Sequence, residues 1–133
     1  MASLRKTVLI ADDSLFMRSY LKRIIVEENY KVISEASNGE EVVLQYKKFL
    51  PDIVFMDITM PKVNGINALI EIKKFDPNAK VIMCSSLGQK SYIIDAIRNG
   101  ATDFIVKPYF NNLVNILRNT EYLHCNSNRL KVK

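Results

Sequence analysis

The sequence has few of the residues that build metal sites, disulfides or membrane spans. Its 133 residues include no tryptophan, one histidine, two cysteines, four glycines and four prolines. Two cysteines, Cys84 and Cys125, cannot supply the closely spaced ligands of a structural zinc site or a disulfide framework. No stretch approaches the ~20 apolar residues that cross a bilayer, and no signal-peptide core precedes the first strand-like run. We therefore predict a cytoplasmic protein without a membrane span, in which Cys84 is a buried thiol and His124 a solvated tail residue.

Positive charge exceeds negative charge, with a formal net charge of +5 and a pI near 9.2. A basic surface can bind nucleic acid because lysine and arginine neutralise phosphates. Many of these cations, however, occur in scattered pairs that suit solvated faces: Arg5-Lys6, Lys22-Arg23, Lys47-Lys48 and Lys73-Lys74. We therefore predict no direct contact with nucleic acid. The length and the 48% hydrophobic content suit one globular domain.

Four short apolar runs predict strands of a parallel sheet. They lack alternation of apolar and polar residues, as is typical of strands buried on both faces. The runs are residues 8–11 (VLIA), 53–56 (IVFM), 81–84 (VIMC) and 104–106 (FIV). A fifth candidate, residues 31–36 (KVISEA), is more mixed and suits an edge strand.

Between these runs, apolar residues recur at helical spacing. The five predicted apolar faces are Met17, Leu21, Ile24 and Ile25; Val42, Tyr46, Phe49 and Leu50; Ile66, Leu69 and Ile70; Ile93, Ile94 and Ile97; and Leu113, Ile116 and Leu117. Asn38, with Glu41 three residues later, suits a helix start, and Gly100 suits the left-handed residue beyond a helix end. Pro51 and Pro77 fall in connections. The β-α alternation thus repeats five times.

Strict β-α alternation predicts an α/β doubly wound fold, with helices on both faces of a parallel sheet and ligands beyond the carboxyl ends of its strands. Polar residues follow four of the five runs: Asp12 and Asp13, Asp57, Ser85 and Ser86, and Lys107. Carboxylates ~5 Å apart repel by roughly 3 kcal/mol per pair at an effective dielectric of ~20. A hard divalent cation, Mg²⁺ or Mn²⁺, together with Lys107 compensates such repulsion. The sequence therefore predicts an acidic cation site at one edge of the sheet.

The chain resembles the receiver domain of two-component response regulators. The resemblance rests on residues 8–14 (VLIADDS), on Asp57 followed by Met60-Pro61 and Gly65, on 84–86 (CSS) and on 104–108 (FIVKP). It implies a (βα)5 sandwich with strand order 2-1-3-4-5, the flavodoxin-like arrangement. It also implies a receiver domain over residues 5–123, followed by a short polar tail over residues 124–133.

The resemblance implies a phosphoacceptor rather than a conventional enzyme. Asp57 is the nucleophile that takes a phosphoryl group from a histidine kinase or phosphotransfer protein. Asp13 and Asp57 bind Mg²⁺, Asp12 binds it mainly through water, and Thr59 through its backbone carbonyl. Because the transition state needs alignment and charge neutralisation more than acid-base work, phosphorylation and dephosphorylation are self-catalysed and Mg²⁺-dependent.

The resemblance also implies how the phosphorylated state is reported. Ser85 hydrogen-bonds a phosphoryl oxygen, Lys107 pairs with another, and Phe104 occupies the position of an aromatic switch residue. A downstream protein binds the fourth helix, fifth strand and fifth helix, where the candidate contacts are Lys90, Tyr92, Arg98, Tyr109, Asn112 and Arg118. Thr59 and Leu87 stand at positions that tune the phosphate lifetime. Neither positions a water as well as an acid or amide, so we expect slow to moderate self-dephosphorylation.

Residues 83–89 (MCSSLGQ) are similar to chemotaxis-type receivers. We therefore expect a monomer in chemotaxis or at the flagellar switch, with sporulation or another phosphorelay as the alternative pathway. A flavodoxin-like cofactor protein would need a phosphate-cradling loop where Asp12 and Asp13 stand. A phosphoaspartate hydrolase would carry its nucleophile after the first strand, whereas Asp57 follows the third. The chain could also be a receiver excised from a larger DNA-binding regulator.

Overall fold

A computed structural model of the protein describes residues 5–86, 90–107 and 112–125, with the backbone alone for residues 86 and 121–125. Its strands are β1 (Thr7–Ala11), β2 (Lys31–Ala36), β3 (Ile53–Asp57), β4 (Val81–Ser86) and β5 (Asp103–Lys107). All four pairings are parallel, and the sheet order is β2-β1-β3-β4-β5. The predicted order and the predicted edge position of β2 are confirmed.

Five helices cover the two faces of this sheet. They are α1 (Leu15–Glu27), α2 (Gly39–Phe49), α3 (Gly65–Phe75), α4 (Lys90–Arg98) and α5 (Leu113–Cys125). Successive strand residues point to opposite faces, so Leu9 and Met56 pack in the core under α2, α3 and α4, whereas Ile10 and Phe55 pack in the core under α1 and α5. The doubly wound α/β architecture predicted from the sequence is confirmed.

Local capping agrees with the sequence pattern. Asn38 caps α2, since its Oδ1 accepts the Glu41 N–H at 2.8 Å. The Glu41 carboxylate in turn accepts the Ser37 N–H at 2.7 Å, one residue earlier than in a standard capping box. Gly100, beyond α4, has φ +95°, the left-handed conformation that a side chain disfavours. The predicted helix start and helix end are therefore confirmed.

Two predicted apolar helix faces are wrong in part. On α2, Phe49 is 40% exposed and Leu50 60% exposed. The helix ends at Phe49, and Leu50 lies beyond it in a left-handed conformation with φ +47°, so the helical apolar face does not extend to Leu50. On α4, Ile94 and Ile97 are also exposed. The helix instead lays the small Ala96 against the core, which leaves the larger residues toward solvent.

Three predicted rim residues lie within strands rather than after them. Asp57 is the last residue of β3 and pairs with Cys84, and Lys107 is the last residue of β5. Ser85 also belongs to its strand, β4, where it pairs with Val106. Parallel pairing thus continues past the apolar runs and holds the polar residues on regular backbone.

Two further predictions concern single features of the chain. Cys84 is a free, fully buried thiol, as predicted, and burial raises its pKa to about 12. Within the described ranges, none of the helices has the length and apolar character needed to traverse a bilayer.

Candidate functional site

The carboxyl ends of the strands bring the three predicted carboxylates together. Oxygens of Asp12, Asp13 and Asp57 lie within 4.8 Å of one another. Asp12 and Asp13 follow β1, and Asp57 ends the adjacent β3, whose pairing with β1 places these two strand ends side by side. The predicted clustering at one edge of the sheet is therefore confirmed.

Burial differs among these carboxylates. Asp12 is 1% exposed and Asp57 8% exposed, whereas Asp13 is exposed to solvent. Removing two ionised carboxylates from water is costly unless they are paired and hydrogen-bonded. The pocket therefore needs cations near Asp12 and Asp57, while Asp13 remains open to a ligand from solvent.

Lys107 supplies one such cation. Its Nζ lies 2.6 Å from Asp12 Oδ2 and 3.0 Å from Asp57 Oδ2, and its side chain is 15% exposed. Burial lowers the pKa of the Lys107 amine, but the hydrogen bond to Asp12 and the charge of Asp57 outweigh that effect and raise the pKa overall. Lys107 is therefore charged, and from the end of β5 it reaches across β4 to the adjacent ends of β3 and β1.

Asp57 remains incompletely compensated. Burial raises the pKa of its carboxyl, and the charge and hydrogen bond of Lys107 lower it, with a further increase from Asp12. The balance is a pKa above the ordinary value. Three carboxylates thus face one ammonium, which leaves net negative charge at the end of the sheet.

The β3–α3 loop is held close beneath Asp57. The Gly65 N–H donates to the Ile58 carbonyl at 2.7 Å, and the Thr59 N–H donates to Asp57 Oδ1 at 3.4 Å. A Cβ at Gly65 would lie 2.2 Å from the Asp57 carbonyl oxygen, closer than any real contact. Only glycine therefore permits this approach of α3 to the end of β3, which places Thr59 at the rim.

Ser85 carries the only buried side-chain polar atom that lacks a hydrogen-bond partner among the described residues. The residue is 1% exposed, and it follows Cys84, the partner of Asp57 across the sheet. Buried hydroxyls normally have partners, because an unmade hydrogen bond costs ~1–3 kcal/mol. A ligand with acceptor oxygens at the pocket would complete this group.

The predicted output residues that the structure describes comprise the half-buried Phe104 and several exposed side chains. Phe104 is half-buried and packs against the core under α2, α3 and α4. Tyr92 of α4 is 45% exposed and lines, with Ile58 and Thr59, a cavity of about 140 Å³ next to the β3–α3 loop. Exposed positions are also found for Lys90, Arg98, Asn112 and Arg118. The predicted contact Tyr109 and the lifetime position Leu87 lie outside the described residues.

Arg18 is a pocket residue that sequence reasoning missed. Its Nη1 donates to the Asp12 carbonyl at 2.6 Å, and its Nε lies 3.1 Å from Glu35 Oε1. An arginine one turn into a helix that follows an acidic pair gives some signal of such a contact. The contact with Glu35 on β2 has no signal in the sequence, because Arg18 and Glu35 are distant in the sequence and meet only in the folded protein.

The donor set fits a hard divalent cation. Oxygen ligands from carboxylates are those that Mg²⁺ prefers, and it commonly uses one or two of them alongside water and phosphate oxygens. The clustered oxygens of Asp12, Asp13 and Asp57 and the excess negative charge meet that requirement. The exposed Asp13 leaves the site open to solvent.

Comparison with known proteins agrees with this geometry. The family model described as the response regulator receiver domain matches residues 8–118. The chain belongs to this receiver family. The receiver domain is 59% identical over 104 residues to chemotaxis protein CheY of Thermotoga maritima, which covers 78% of this chain and 87% of that protein. It is 54% identical over 102 residues to CheY of Bacillus subtilis, with coverage of 77% and 85%.

Solved structures agree as well. The receiver domain matches a chain of the CheX-CheY-BeF3-Mg²⁺ complex from Borrelia burgdorferi with a TM-score of 0.80 and 43% identity, over 84% of this chain and 86% of that chain. It is thus a receiver domain of two-component signalling, homologous to the chemotaxis response regulator CheY.

Proposed function

We propose that this receiver domain accepts a phosphoryl group on Asp57 and reports that state by binding partner proteins. The observation that carries the proposal is the meeting of three groups at one end of the sheet: the Asp57 carboxylate, the Lys107 ammonium 3.0 Å from it, and the buried Ser85 hydroxyl, which has no hydrogen-bond partner among the described residues. They correspond to the nucleophile, a cation for the transferred group and a hydrogen-bond donor for one of its oxygens.

The reaction follows from these groups. An Asp57 oxygen attacks the phosphorus of a phosphohistidine on a histidine kinase or phosphotransfer protein. The new O–P bond makes an acyl phosphate as the N–P bond breaks and its electron pair returns to the imidazole. The carboxylate needs no general base, because it attacks as an anion. The Lys107 ammonium, which among the described residues contacts only carboxylates before the reaction, then also pairs with a phosphoryl oxygen. It thereby neutralises the negative charge on the transferred group.

A divalent cation would be held by residues already in place. Asp13, exposed and without a protein partner among the described residues, and Asp57 would ligate directly, and the Thr59 backbone carbonyl would complete the protein's share. Asp12 would act through water, since its two oxygens already accept from the Ser14 N–H and Lys107. When bound, Mg²⁺ or Mn²⁺ supplies charge neutralisation on the phosphoryl oxygens. The Borrelia CheY complex contains both Mg²⁺ and the phosphoryl mimic BeF3, which supports this proposal.

Output uses the face formed by α4, β5 and α5. Phosphorylation draws the Ser85 hydroxyl toward the new oxygens, and the space that it leaves favours a different position of Phe104. A partner that binds one of the two conformations better shifts the equilibrium further. Exposed apolar residues of α4 support this choice of face, as Tyr92, Ile94 and Ile97 are each more than two fifths exposed.

The pathway is chemotaxis, as the CheY relatives support. The protein acts as a cytoplasmic monomer, with residues 5–123 as the receiver and 124–133 as a tail into which α5 continues as far as Cys125. It contacts neither nucleic acid nor membrane directly. Its hydrolysis of its own acyl phosphate is slow to moderate, because the exposed Thr59 is a weak positioner of water.

Intact mass measurement after incubation with acetyl phosphate and Mg²⁺ tests the proposal. We expect the wild-type protein to gain one phosphate, and Asp57→Asn or chelation of the metal to prevent the gain. Asp52→Asn is the matched control, since Asp52 accepts hydrogen bonds from Thr7 and lies at the opposite end of β3. This control should gain phosphate as the wild type does. Equal gain by Asp57→Asn would contradict the proposal.

A further inference from the structure

Arg18 connects the β1–α1 turn to the neighbouring strand β2. Its guanidinium donates to the Asp12 carbonyl at 2.6 Å and contacts Glu35 Oε1 at 3.1 Å. The Arg18 side chain is 16% exposed, so these contacts are made in a largely dehydrated setting. A charge-assisted hydrogen bond of this kind is about twice as strong as a neutral one. One side chain of α1 thus fixes the backbone at the edge of the acidic pocket.

Every polar group of Asp12 has a partner. Its N–H donates to the Ala36 carbonyl at 3.0 Å, and its Oδ1 accepts the Ser14 N–H at 2.9 Å. Its Oδ2 accepts from Lys107 at 2.6 Å, and its carbonyl accepts from Arg18. Arg18 is the side chain that fixes the carbonyl, which is the end of Asp12 that joins the next residue.

Asp13 depends on this arrangement. The peptide unit is planar, so the Asp12 carbonyl and the Asp13 N–H share one plane. No hydrogen bond or ion pair from the described residues reaches the exposed Asp13 carboxylate. The position of Asp13 at the pocket therefore rests on its backbone, and Arg18 holds the peptide plane that precedes it.

The ion pair of Arg18 lies outside the pocket. Glu35 pairs with Arg18, and Lys22 contacts the same carboxylate at 3.5 Å. Among the described residues Arg18 makes no ion pair with the Asp12 or Asp13 carboxylate, and its contact with Asp12 is to the backbone carbonyl. Its planar fork reaches a carboxylate and a carbonyl at the same time, which a lysine amine on a flexible stem does not reproduce.

We propose that Arg18 is a positioning residue for cation binding. It holds the peptide between Asp12 and Asp13 in the orientation that directs the Asp13 carboxylate toward the cation. This inference rests on the proposed function, in which the acidic pocket holds Mg²⁺ beside the phosphoacceptor. Residues that orient metal ligands typically change metal affinity by about 10–100-fold when they are replaced.

The test compares Mg²⁺ affinity in three full-length variants by titration calorimetry, without a phosphodonor. Arg18→Gln removes both contacts, and Arg18→Lys keeps the charge but not the fork. Lys22→Gln is the matched control, because Lys22 is a half-exposed cation on the same Glu35 that does not touch Asp12. We expect both Arg18 variants to bind Mg²⁺ about 10-fold more weakly. Lys22→Gln should stay within about twofold of the wild type.

Two further measurements separate positioning from simple stabilisation. In phosphorylation by acetyl phosphate, the Mg²⁺ concentration for half-maximal rate should rise about 10-fold in the Arg18 variants. Their rate at saturating Mg²⁺ should change by less than about threefold, because the loss is in cation binding. Urea unfolding checks that each variant is folded, and Arg18→Lys decides the matter if Arg18→Gln does not fold.

The outcomes are distinct for the two proposals. Wild-type Mg²⁺ affinity in Arg18→Lys, with Asp57 phosphorylated normally in the wild type, overturns this inference alone. A wild-type protein that gains no phosphate on Asp57 overturns the proposed function. An equal loss of Mg²⁺ affinity in Lys22→Gln would assign the effect to the Glu35 ion pairs and also overturn the positioning role.

Discussion

The Lys107 ammonium and the Asp57 carboxylate meet across the sheet, with Nζ 3.0 Å from Oδ2. Lys107 ends β5 and Asp57 ends β3, and β4 lies between the two strands. The same amine reaches Asp12 at 2.6 Å. One cation therefore compensates two buried carboxylates, so the stability of the fold and the chemistry of the pocket depend on the same side chain.

Replacing Lys107 should destabilise the protein. Lys107→Met leaves Asp12 and Asp57 buried together without their cation, and removing one partner of a buried pair costs about 3 kcal/mol. We expect this decrease in the free energy of unfolding in urea experiments without metal. Added Mg²⁺ should stabilise the variant more than it stabilises the wild type. Lys31→Met, at an exposed position on β2, is the control and should change little. Unchanged stability of Lys107→Met would show that the pocket carboxylates need no cation.

Asp57→Asn should make the metal-free protein more stable at neutral pH. Because the pKa of Asp57 is raised in the fold, ionising this carboxyl costs more in the folded protein than in the unfolded chain. Its contribution to stability is full below the unfolded pKa, about 4, and is lost as the pH rises through the folded pKa. Asparagine is neutral throughout, so the variant should be more stable than the wild type at pH 7.

That advantage should shrink as the pH approaches 4, because the wild-type carboxyl then becomes protonated. Unfolding curves of both proteins across this pH range, with chelator present, provide the measurement. An advantage that is independent of pH, or a variant less stable than the wild type at neutral pH, would contradict the predicted charge state of the pocket.

Ser85→Ala should cost no stability. The Ser85 hydroxyl is buried without a partner among the described residues, so its removal loses no protein hydrogen bond and relieves up to about 1 kcal/mol of desolvation. Ser34→Ala is the contrast, because the Ser34 hydroxyl donates to Gln45 and its loss should cost about 1 kcal/mol.

The phosphorylated state should respond in the opposite way. With beryllofluoride and Mg²⁺, we expect chemical-shift changes over α4, β5 and α5 in the wild type, and clearly smaller changes in Ser85→Ala. Equal chemical-shift changes in the two proteins would show that Ser85 does not transmit the phosphorylated state to this face.

Sequence alone predicted the sheet and the position of its chemistry, for a physical reason. Strands buried on both faces need unbroken apolar runs, so Asp57 and Lys107 stand out where those runs end. Parallel topology then requires the strand ends to lie together. The oxygens of Asp12, Asp13 and Asp57 are close for that reason.

Side-chain detail was less accessible from the sequence. Phe49 and Leu50 continue a helical apolar pattern, yet the helix ends at Phe49 and both side chains are exposed. The contact between Arg18 and Glu35 depends on how α1 lies over β2, which no local pattern encodes. Helix ends and contacts between elements depend on how whole helices and strands pack. The periodicity of apolar residues predicts only which face of a single helix or strand is buried.

The position of the phosphoryl group tests the central claim most directly. Wild-type protein phosphorylated with acetyl phosphate and Mg²⁺ is reduced with borohydride, which converts an acyl phosphate of aspartate to homoserine, and its peptides are sequenced by mass spectrometry. The account predicts homoserine at position 57 and unchanged aspartate at positions 12 and 13. Homoserine at either of those positions, or phosphate retained on a serine or threonine, would contradict it.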